Sequence, residues 1–263
     1  MKKHLFCLFA LSLLTALTGC VKVKQTTTLK PDGSGKMALR IAINEQMLAM
    51  GGNSTFFEHF SPQALAQQEA AGWVAFTQPT THIEGNFKIV EFVGYFRDIN
   101  TVRFGDSFGN PNLPVPSEES KATTYALNPG QLQVTRSLAT QVIHDLKEDG
   151  ETFNDPATRA MMAPMMEGFE ITEQYVMPGT ITNAPGYETH DTTANLTITA
   201  DNLLADEPFT IAALEDNVAE ITFTPNNWTN NDQAAWQTEL AAAETAWAKI
   251  KTQETESPPT DLE

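Results

Sequence analysis

Apolar and polar residues alternate in two neighbouring stretches near the start of the chain. Residues 21–24 read Val-Lys-Val-Lys, and residues 37–43 place Met, Leu, Ile and Ile at every second position. The segment between them contains Pro-Asp-Gly-Ser-Gly at residues 31–35, a composition typical of turns. The pattern therefore predicts a β-hairpin that starts at residue 21.

Further strands and a few short helices follow from the same kind of pattern. Residues 87–96 carry large apolar side chains on both sides, which indicates a strand covered on both faces. Helices are predicted over residues 44–50 and 61–71, and a third helix is predicted to begin near residues 155–156. In the second helix Ser61 is the expected cap and Pro62 the first helical residue. Other strands are predicted near residues 73–77, 123–127, 132–135, 169–177, 196–198 and 218–223. The expected fold class is α+β, an antiparallel sheet with short helices packed on it.

The strongest helical periodicity lies in residues 231–251. An apolar stripe recurs there at spacings of three and four residues, formed by Trp236, Leu240, Ala243, Trp247 and Ile250. Two accounts stay open: the stripe docks on the sheet of its own domain, or it binds a partner. The predicted organisation is a β-rich domain over residues 20–224, an amphipathic C-terminal helix over 225–251 and a disordered acidic tail over 252–263.

The first 20 residues have the layout of a lipoprotein signal peptide. After Lys2 and Lys3, residues 5–18 form an apolar run of 14 residues, about 21 Å as a helix and too short for a bilayer core of about 30 Å. Leu17-Thr18-Gly19-Cys20 then resembles the lipobox of bacterial lipoproteins. Residues 1–19 are therefore expected to be removed and Cys20 to be lipidated. An ordinary secreted protein with a chance cysteine is the alternative.

Charge and cysteine content narrow the class of protein. The chain carries 16 basic and 33 acidic residues, and removing residues 1–19 takes two lysines and no acid, which changes the formal charge from −17 to −19. Nucleic acid and anionic lipid surfaces attract basic proteins, so no nucleic-acid partner is expected. Only Cys7 and Cys20 are present, so the processed chain would have no disulfide. The lipid on Cys20 would fix the location in a bacterial envelope. Val21 after the cysteine favours the outer membrane, facing the periplasm, if the host is Gram-negative.

Motifs that carry chemistry are weak. The histidines outside the signal are His59, His82, His144 and His190, without H-E-x-x-H or any zinc-like spacing. The methionines at 161–166 could bind Cu(I), but methionines at helical spacing are more often adaptable apolar packing. No nucleophile elbow, P-loop or dinucleotide fingerprint occurs. No metal, no cofactor and no enzymatic activity are expected.

The order of motifs resembles the LppM family of bacterial lipoproteins. The resemblance rests on the lipobox, the turn at residues 31–35, and the segments Tyr-Val-Met-Pro-Gly-Thr-Ile at 175–181 and Ala-Pro-Gly at 184–186. It implies a β-rich α+β fold with an apolar cavity for lipid or glycolipid over roughly residues 20–200. The sequence departs from that family after residue 200, where the Trp-bearing helix and acidic tail stand in place of a second hydrophobic segment.

The expected function is therefore a noncatalytic lipoprotein, tethered to the membrane, that binds an apolar ligand or handles lipids at the membrane surface. The candidate ligand-binding side chains are adaptable apolar groups on short helices, and the competing interpretation is that they simply fill the core. They are Phe56, Phe57, Phe60, Met161, Met162, Met165 and Met166. The alternative function is an assembly protein that docks an envelope protein through Trp236, Leu240, Trp247 and Ile250.

Lipidation of Cys20 is directly testable. Cells expressing the wild type and fed a clickable fatty acid should yield a labelled protein, whereas Cys20→Ala should stay unlabelled because the acceptor thiol is missing. Equal labelling of both proteins would contradict the lipobox assignment.

Overall fold

A computed structural model describes residues 21–51, 56–105, 122–148, 155–205, 212–214 and 216–256. The predicted signal peptide and Cys20 lie outside these residues, as does most of the Pro- and Gly-rich stretch 105–120. Within the described chain no helix is long and apolar enough to cross a membrane.

Strands make up most of the described chain and form two sheets. Thirteen strands are present among the described residues: β1 (Val21–Leu29), β2 (Gly35–Asn44), β3 (Trp73–Phe76), β4 (Thr80–Glu84), β5 (Phe87–Phe96), β6 (Arg103–Gly105), β7 (Ala122–Asn128), β8 (Gln131–Thr135), β9 (Glu170–Val176), β10 (Gly179–Asn183), β11 (Glu188–His190), β12 (Thr193–Thr199) and β13 (Val218–Pro225). The large sheet has the order β11-β12-β9-β1-β2-β5-β3, with β4 also on β5, and the small sheet has the order β10-β13-β8-β7-β6.

Short helices connect and cover these strands. The α-helices are α1 (Glu45–Gly51), α2 (Pro62–Ala66), α3 (Leu138–Glu148), α4 (Pro156–Met166), α5 (Ala200–Leu204) and α6 (Asn230–Glu256), and 3-10 turns span Phe56–Phe60, Gln67–Ala71, Ile99–Thr101 and Ala212–Leu214. The Ser61 hydroxyl accepts the Ala64 amide at the start of α2, as its cap position predicts. The predicted α+β class is confirmed.

Strand β1 lies near the middle of the large sheet and differs from the prediction in one respect. It pairs antiparallel with β2 from Val21↔Ile43 to Leu29↔Gly35, as the hairpin predicts. On its other side it pairs parallel with β9, from Lys22↔Glu170 to Thr28↔Val176. The large sheet is therefore mixed, not purely antiparallel, and a second sheet accompanies it. Sequence alternation identifies a strand but does not specify the direction of a partner so distant in the chain.

Close packing of aromatic rings fixes one position of β5 as glycine. A side chain at Gly94 would place its Cβ 2.5 Å from the Trp73 ring and 2.9 Å from the Phe76 ring. Trp73 in turn packs edge-on against Phe96, with ring centroids 6.0 Å apart. The missing side chain at Gly94 therefore leaves room for the indole that joins β3 to β5.

Helix α6 docks on the large sheet through the stripe identified in the sequence. Trp236, Leu240 and Trp247 are buried, and Ile250 is half-buried. Trp236 stacks on Tyr95 at 6.2 Å between ring centroids, and Trp247 meets Phe76 edge-on at 5.4 Å. The helix thereby covers the edge strand β3. It also continues to Glu256, into the stretch expected to be disordered, while residues 257–263 lie outside the described chain.

Polar contacts pin the same helix at both ends. The Trp236 indole donates a hydrogen bond to the Ser34 hydroxyl, and the Trp247 indole donates one to Glu69, each at 2.7 Å. Lys36 forms an ion pair with Glu239 at 2.6 Å, and one guanidinium nitrogen of Arg97 donates hydrogen bonds to both carboxylate oxygens of Glu244. These ion pairs are solvent-exposed and contribute little each, so the buried indoles carry most of the docking energy.

Trp247→Ala should destabilise the protein by about 3–5 kcal/mol, because it removes a fully buried indole and leaves a cavity beside Phe76. Urea or thermal denaturation measures the change. Lys249→Ala, on the exposed side of the same helix, is the matched control and should stay within about 0.5 kcal/mol of the wild type. An unchanged midpoint for Trp247→Ala would contradict the docking.

Candidate functional site

A groove runs along the outer face of the large sheet, the face that carries Lys24, Ala38 and Val93. It consists of two adjoining depressions of about 200 and 610 Å³, and Lys24 and Arg40 line both. The smaller depression opens at the end of the sheet where β1 begins, called the entry end below. The two together give a trough that starts at the entry end and continues along β1, β2 and β5.

The floor of the groove follows from the alternation in β2. Ala38 and Ala42 point to the outer face, and each has a methyl group where neighbouring positions carry long side chains. Val93 and Ile89 of β5 lie opposite them, since Ala38 pairs with Val93 and Ala42 with Ile89. Helix α6 covers only the opposite part of this face, where Trp236 stacks on Tyr95. A shallow apolar lane therefore stays open at Ala38 and Val93. Toward the entry end its floor is formed by Ala42 and Ile89, which are buried, and the Arg40–Glu91 ion pair lies between the two parts.

Cations border the lane. Arg40 is held by Glu84 at 2.7 Å and by Glu91 at 2.9 Å, so its charge is balanced. The Lys22 ammonium lies 5.4 Å from the centre of the Phe87 ring. Lys24 is exposed, lines both depressions and makes no ion pair with a carboxylate in the described part of the chain. Lys24 is therefore the cation best placed to receive an acidic group.

A second unusual place is a polar cluster buried between the two sheets. Glu173 of β9 is fully buried and accepts hydrogen bonds from the Ser137 hydroxyl at 2.9 Å and from the Tyr187 hydroxyl at 3.1 Å. Burial raises the pKa of Glu173, although hydrogen bonds from Ser137, Tyr187 and the first backbone amides of α3 oppose the shift. The carboxyl is thus held in an interior that favours its protonated form.

The tyrosines around Glu173 share its environment. Tyr125 from the small sheet and Tyr175 from the large sheet are both fully buried, and desolvation, together with the Glu173 charge, raises the pKa of each. Several buried atoms of the cluster have no hydrogen-bond partner among the described residues: Gln25 Oε1, Thr27 Oγ1, Glu173 Oε1 and the hydroxyls of Tyr125 and Tyr175. Such groups are usually satisfied by interior water. The hydrogen bond from Ser137, which follows β8 of the small sheet, to Glu173 of the large sheet thus joins the two sheets in an otherwise apolar core.

The phenylalanines and methionines predicted to bind ligand differ in how deeply they are buried. Phe60 is a core residue packed on Phe92, with ring centroids 5.7 Å apart, and Phe57 is partly buried beneath Lys88. Met161 is exposed, whereas Met162 and Met166 are partly buried. The side chains of Phe56 and Met165 lie outside the described set. These residues do not line the groove, but their helices all lie near the entry end.

The stripe predicted as a possible partner site lies inside the domain. Trp236, Leu240 and Trp247 contact the large sheet and its covering helices, and Ile250 packs against the same core. In this conformation Trp236, Leu240 and Trp247 are buried and Ile250 is partly buried. Among the described residues, no group of three or more histidine, cysteine or acidic side chains is placed to hold a metal ion.

The groove residues were missed at the level of sequence. Their signal was the alternation of β2 itself, where alanines and a single arginine occupy the face opposite Met37, Leu39 and Ile41. A polar or small face on a strand is most simply interpreted as solvated. Only the pairing with β5, which sets Val93 and Ile89 beside those alanines, makes the face a trough.

Comparison with known proteins gives a structural likeness alone. No protein-family model matches the sequence, and no curated protein is significantly similar to it. The NMR structure of the folded domain of LppM from Mycobacterium tuberculosis matches 82% of this chain and 94% of that chain, with a TM-score of 0.39 and 12% identity. The M1 zinc metallopeptidase from Deinococcus radiodurans matches 78% of this chain and 42% of that chain, with a TM-score of 0.25 and 8% identity. The likeness to LppM expected from the sequence is found, at a level that transfers no ligand and no activity.

The raised pKa of Glu173 predicts a pH-dependent effect of Glu173→Gln on stability. An unfolded glutamate titrates near pH 4.3, so the stabilisation from this carboxyl is fully present below that pH and is lost as the pH rises through the raised folded-state pKa. The glutamine variant has no such loss. Its free energy of unfolding, relative to the wild type, should therefore increase between about pH 4.5 and pH 8.

Urea unfolding of both proteins across this range is the measurement. Glu188→Gln, at an exposed position of β11, is the matched control and should show no such trend. A difference between Glu173→Gln and the wild type that stays constant with pH would show that the carboxyl is already ionised inside the fold.

Proposed function

We propose that this protein is a lipoprotein of the bacterial envelope, tethered through Cys20, that binds a lipid-like molecule on the outer face of its large sheet. The ligand has an apolar chain and an acidic headgroup. The protein acts by binding and not by catalysis. In a Gram-negative host it would sit on the periplasmic side of the outer membrane.

The groove is the observation that carries this proposal. Its floor offers the small and branched apolar side chains of Ala38, Val93 and Ala42, which suit a flexible alkyl chain. Its border offers the ammonium of Lys24, which has no carboxylate partner among the described residues, for a carboxylate or a phosphate. Its narrow part opens at the entry end, one residue from the proposed anchor, where lipid would be at hand.

The overall charge of the protein fits a ligand that arrives from a membrane and not from solution. The processed chain, whose formal charge is −19 once Lys2 and Lys3 are removed with the signal peptide, repels free anions at long range. Close to the membrane the tether supplies a high local concentration, so a modest affinity is sufficient. One lysine and an apolar lane are then adequate for selective uptake.

The wild-type mature protein should bind a fluorescent fatty acid, and Ala38→Asp should weaken that binding by at least about tenfold, equivalent to about 1.4 kcal/mol. The new carboxylate would lie in the apolar lane and would repel the acidic headgroup. Fluorescence titration measures both affinities. In addition, solvent extraction of the purified wild type followed by mass spectrometry should identify the lipid that it carries.

Thr197→Asp is the matched control. Thr197 is exposed on the outer face of the same sheet, in β12, two strands away from β1 and outside the groove. This variant should bind the fatty acid as the wild type does. Absence of binding by the wild type, or equal binding by Ala38→Asp and Thr197→Asp, would refute the groove as a lipid site.

A further inference from the structure

The exposed large apolar side chains are concentrated at one end of the molecule. Among the described residues there are three: Met47 at 42% exposure, Ile83 at 63% and Met161 at 68%. They belong to α1, β4 and α4, which are far apart in sequence. Scattered exposed hydrophobic residues are normal on any protein surface, whereas a cluster of them marks a contact surface.

The strand register places the elements carrying Met47 and Ile83 at the entry end. Helix α1 follows directly on β2, whose residue Ile43 pairs with Val21 and whose last residue pairs with the first residue of β5. Ile83 lies beside the turn that joins β4 to β5, since it pairs with Lys88. Met47 and Ile83 therefore lie at the end of the sheet where β1 begins, with Ile83 three strands away from β1.

The parallel pairing brings in the third element. Helix α4 leads into β9, whose first residue Glu170 pairs with Lys22. Helix α4 also contacts α5, which begins where β12 ends opposite Glu170. Met161 is thus presented at the same end of the sheet, and Met162 and Met166 of its helix are partly buried there.

Two lysines at this end lie over aromatic rings. The Lys22 ammonium is 5.4 Å from the Phe87 ring centre on the outer face, and the Lys88 ammonium is 4.6 Å from the Phe57 ring centre on the inner face. Long basic side chains that cover apolar groups with their stems and keep the charge at the water are typical of membrane interfaces. The entry end thus combines exposed apolar side chains with amphipathic lysine side chains at its border.

We propose that the entry end is a membrane-contacting surface that lies against the bilayer holding the Cys20 lipid. This inference rests on the tether in the proposed function. Val21, the residue next to Cys20, is already the first residue of β1, so no linker separates the acyl chains from the sheet. The entry end must then face the headgroups, and Met47, Ile83 and Met161 enter the boundary with the acyl chains.

Charge at this end makes the contact dependent on the tether. Acidic side chains stand among the lysines, with Glu45 beginning α1, Glu84 ending β4 and Glu170 beginning β9. They offset the attraction of Lys22 and Lys88 for anionic lipid. The surface therefore orients a protein that is already anchored and does not recruit one from solution. This orientation also points the mouth of the groove toward the leaflet.

The test uses mature lipidated protein in phosphatidylcholine vesicles with one environment-sensitive fluorophore. Cys7 is removed with the signal peptide and the Cys20 thiol carries lipid, so an introduced cysteine is the only free thiol. The labelled positions are Met161→Cys and Ile83→Cys, with Asn128→Cys as the control. Asn128 is exposed and lies with Pro31 and Asp32 at the far end of β1, roughly 26 Å away at about 3.3 Å per residue.

Labels at positions 161 and 83 should shift their emission to the blue and be quenched by brominated acyl chains, whereas the label at 128 should report water. Introducing Met161→Glu together with a label at position 83 should reduce that quenching at least twofold, and Met161→Leu should preserve it. If vesicle-bound protein shows no quenching at 161 and 83, the membrane contact is wrong while the tether stands. If the protein does not stay on the vesicles, the tether is wrong and this inference falls with it, whereas fatty-acid binding in the groove is decided separately by Ala38→Asp.

Discussion

Hydrogen bonding of β1 on both of its sides is the constraint on which the rest of the structure depends. Nine residues of β1 pair with β2 and seven pair with β9. A strand fixed in this way has no freedom to swing, and it begins at Val21, directly after the cysteine of the predicted lipobox. Any group attached at Cys20 is therefore held by the centre of the large sheet and not by a flexible arm.

The direction of each pair then decides what lies where. Antiparallel pairing with β2 returns the chain to the entry end, so α1 and the phenylalanine-bearing 3-10 turn Phe56–Phe60 follow there. Parallel pairing with β9 brings the methionine-bearing helix α4 to the same end. Alternation along β1 gives its two faces different roles. Gln25 and Thr27 point into the interior beside Glu173, whereas Lys22 and Lys24 point to the groove.

Local patterns predicted the local elements well. The alternation in β1, β2 and β5, the Ser61 cap and the stripe of α6 each depend on neighbouring residues, and each corresponds to an observed element. Helix α3 was not predicted, although Ser137 caps it by accepting the Thr140 amide and apolar side chains recur at 138, 142 and 146.

Long-range features were beyond such patterns. The parallel partner of β1, the second sheet and the groove all depend on which strands meet, and no single-chain periodicity encodes that choice. Glu173 shows the limit clearly. The sequence shows Glu173 between Ile171 and Tyr175 on the buried face of β9. The hydroxyls of Ser137 and Tyr187, which donate hydrogen bonds to its carboxylate, come from other parts of the fold. The helices that carry the ligand-binding residues proposed from sequence accordingly lie near the entry end without forming the groove.

The parallel pair also sets the order in which the protein can fold. Lys22 and its partner Glu170 are separated by 148 positions, so β1 presents an unpaired edge until most of the chain has been made. Closing so long a loop is slow, and domains rich in such distant contacts fold slowly. A chain that is still being made thus cannot complete its large sheet. Its central strand stays unpaired on one side until β9 is present, and a chain truncated before β9 would expose that edge to aggregation.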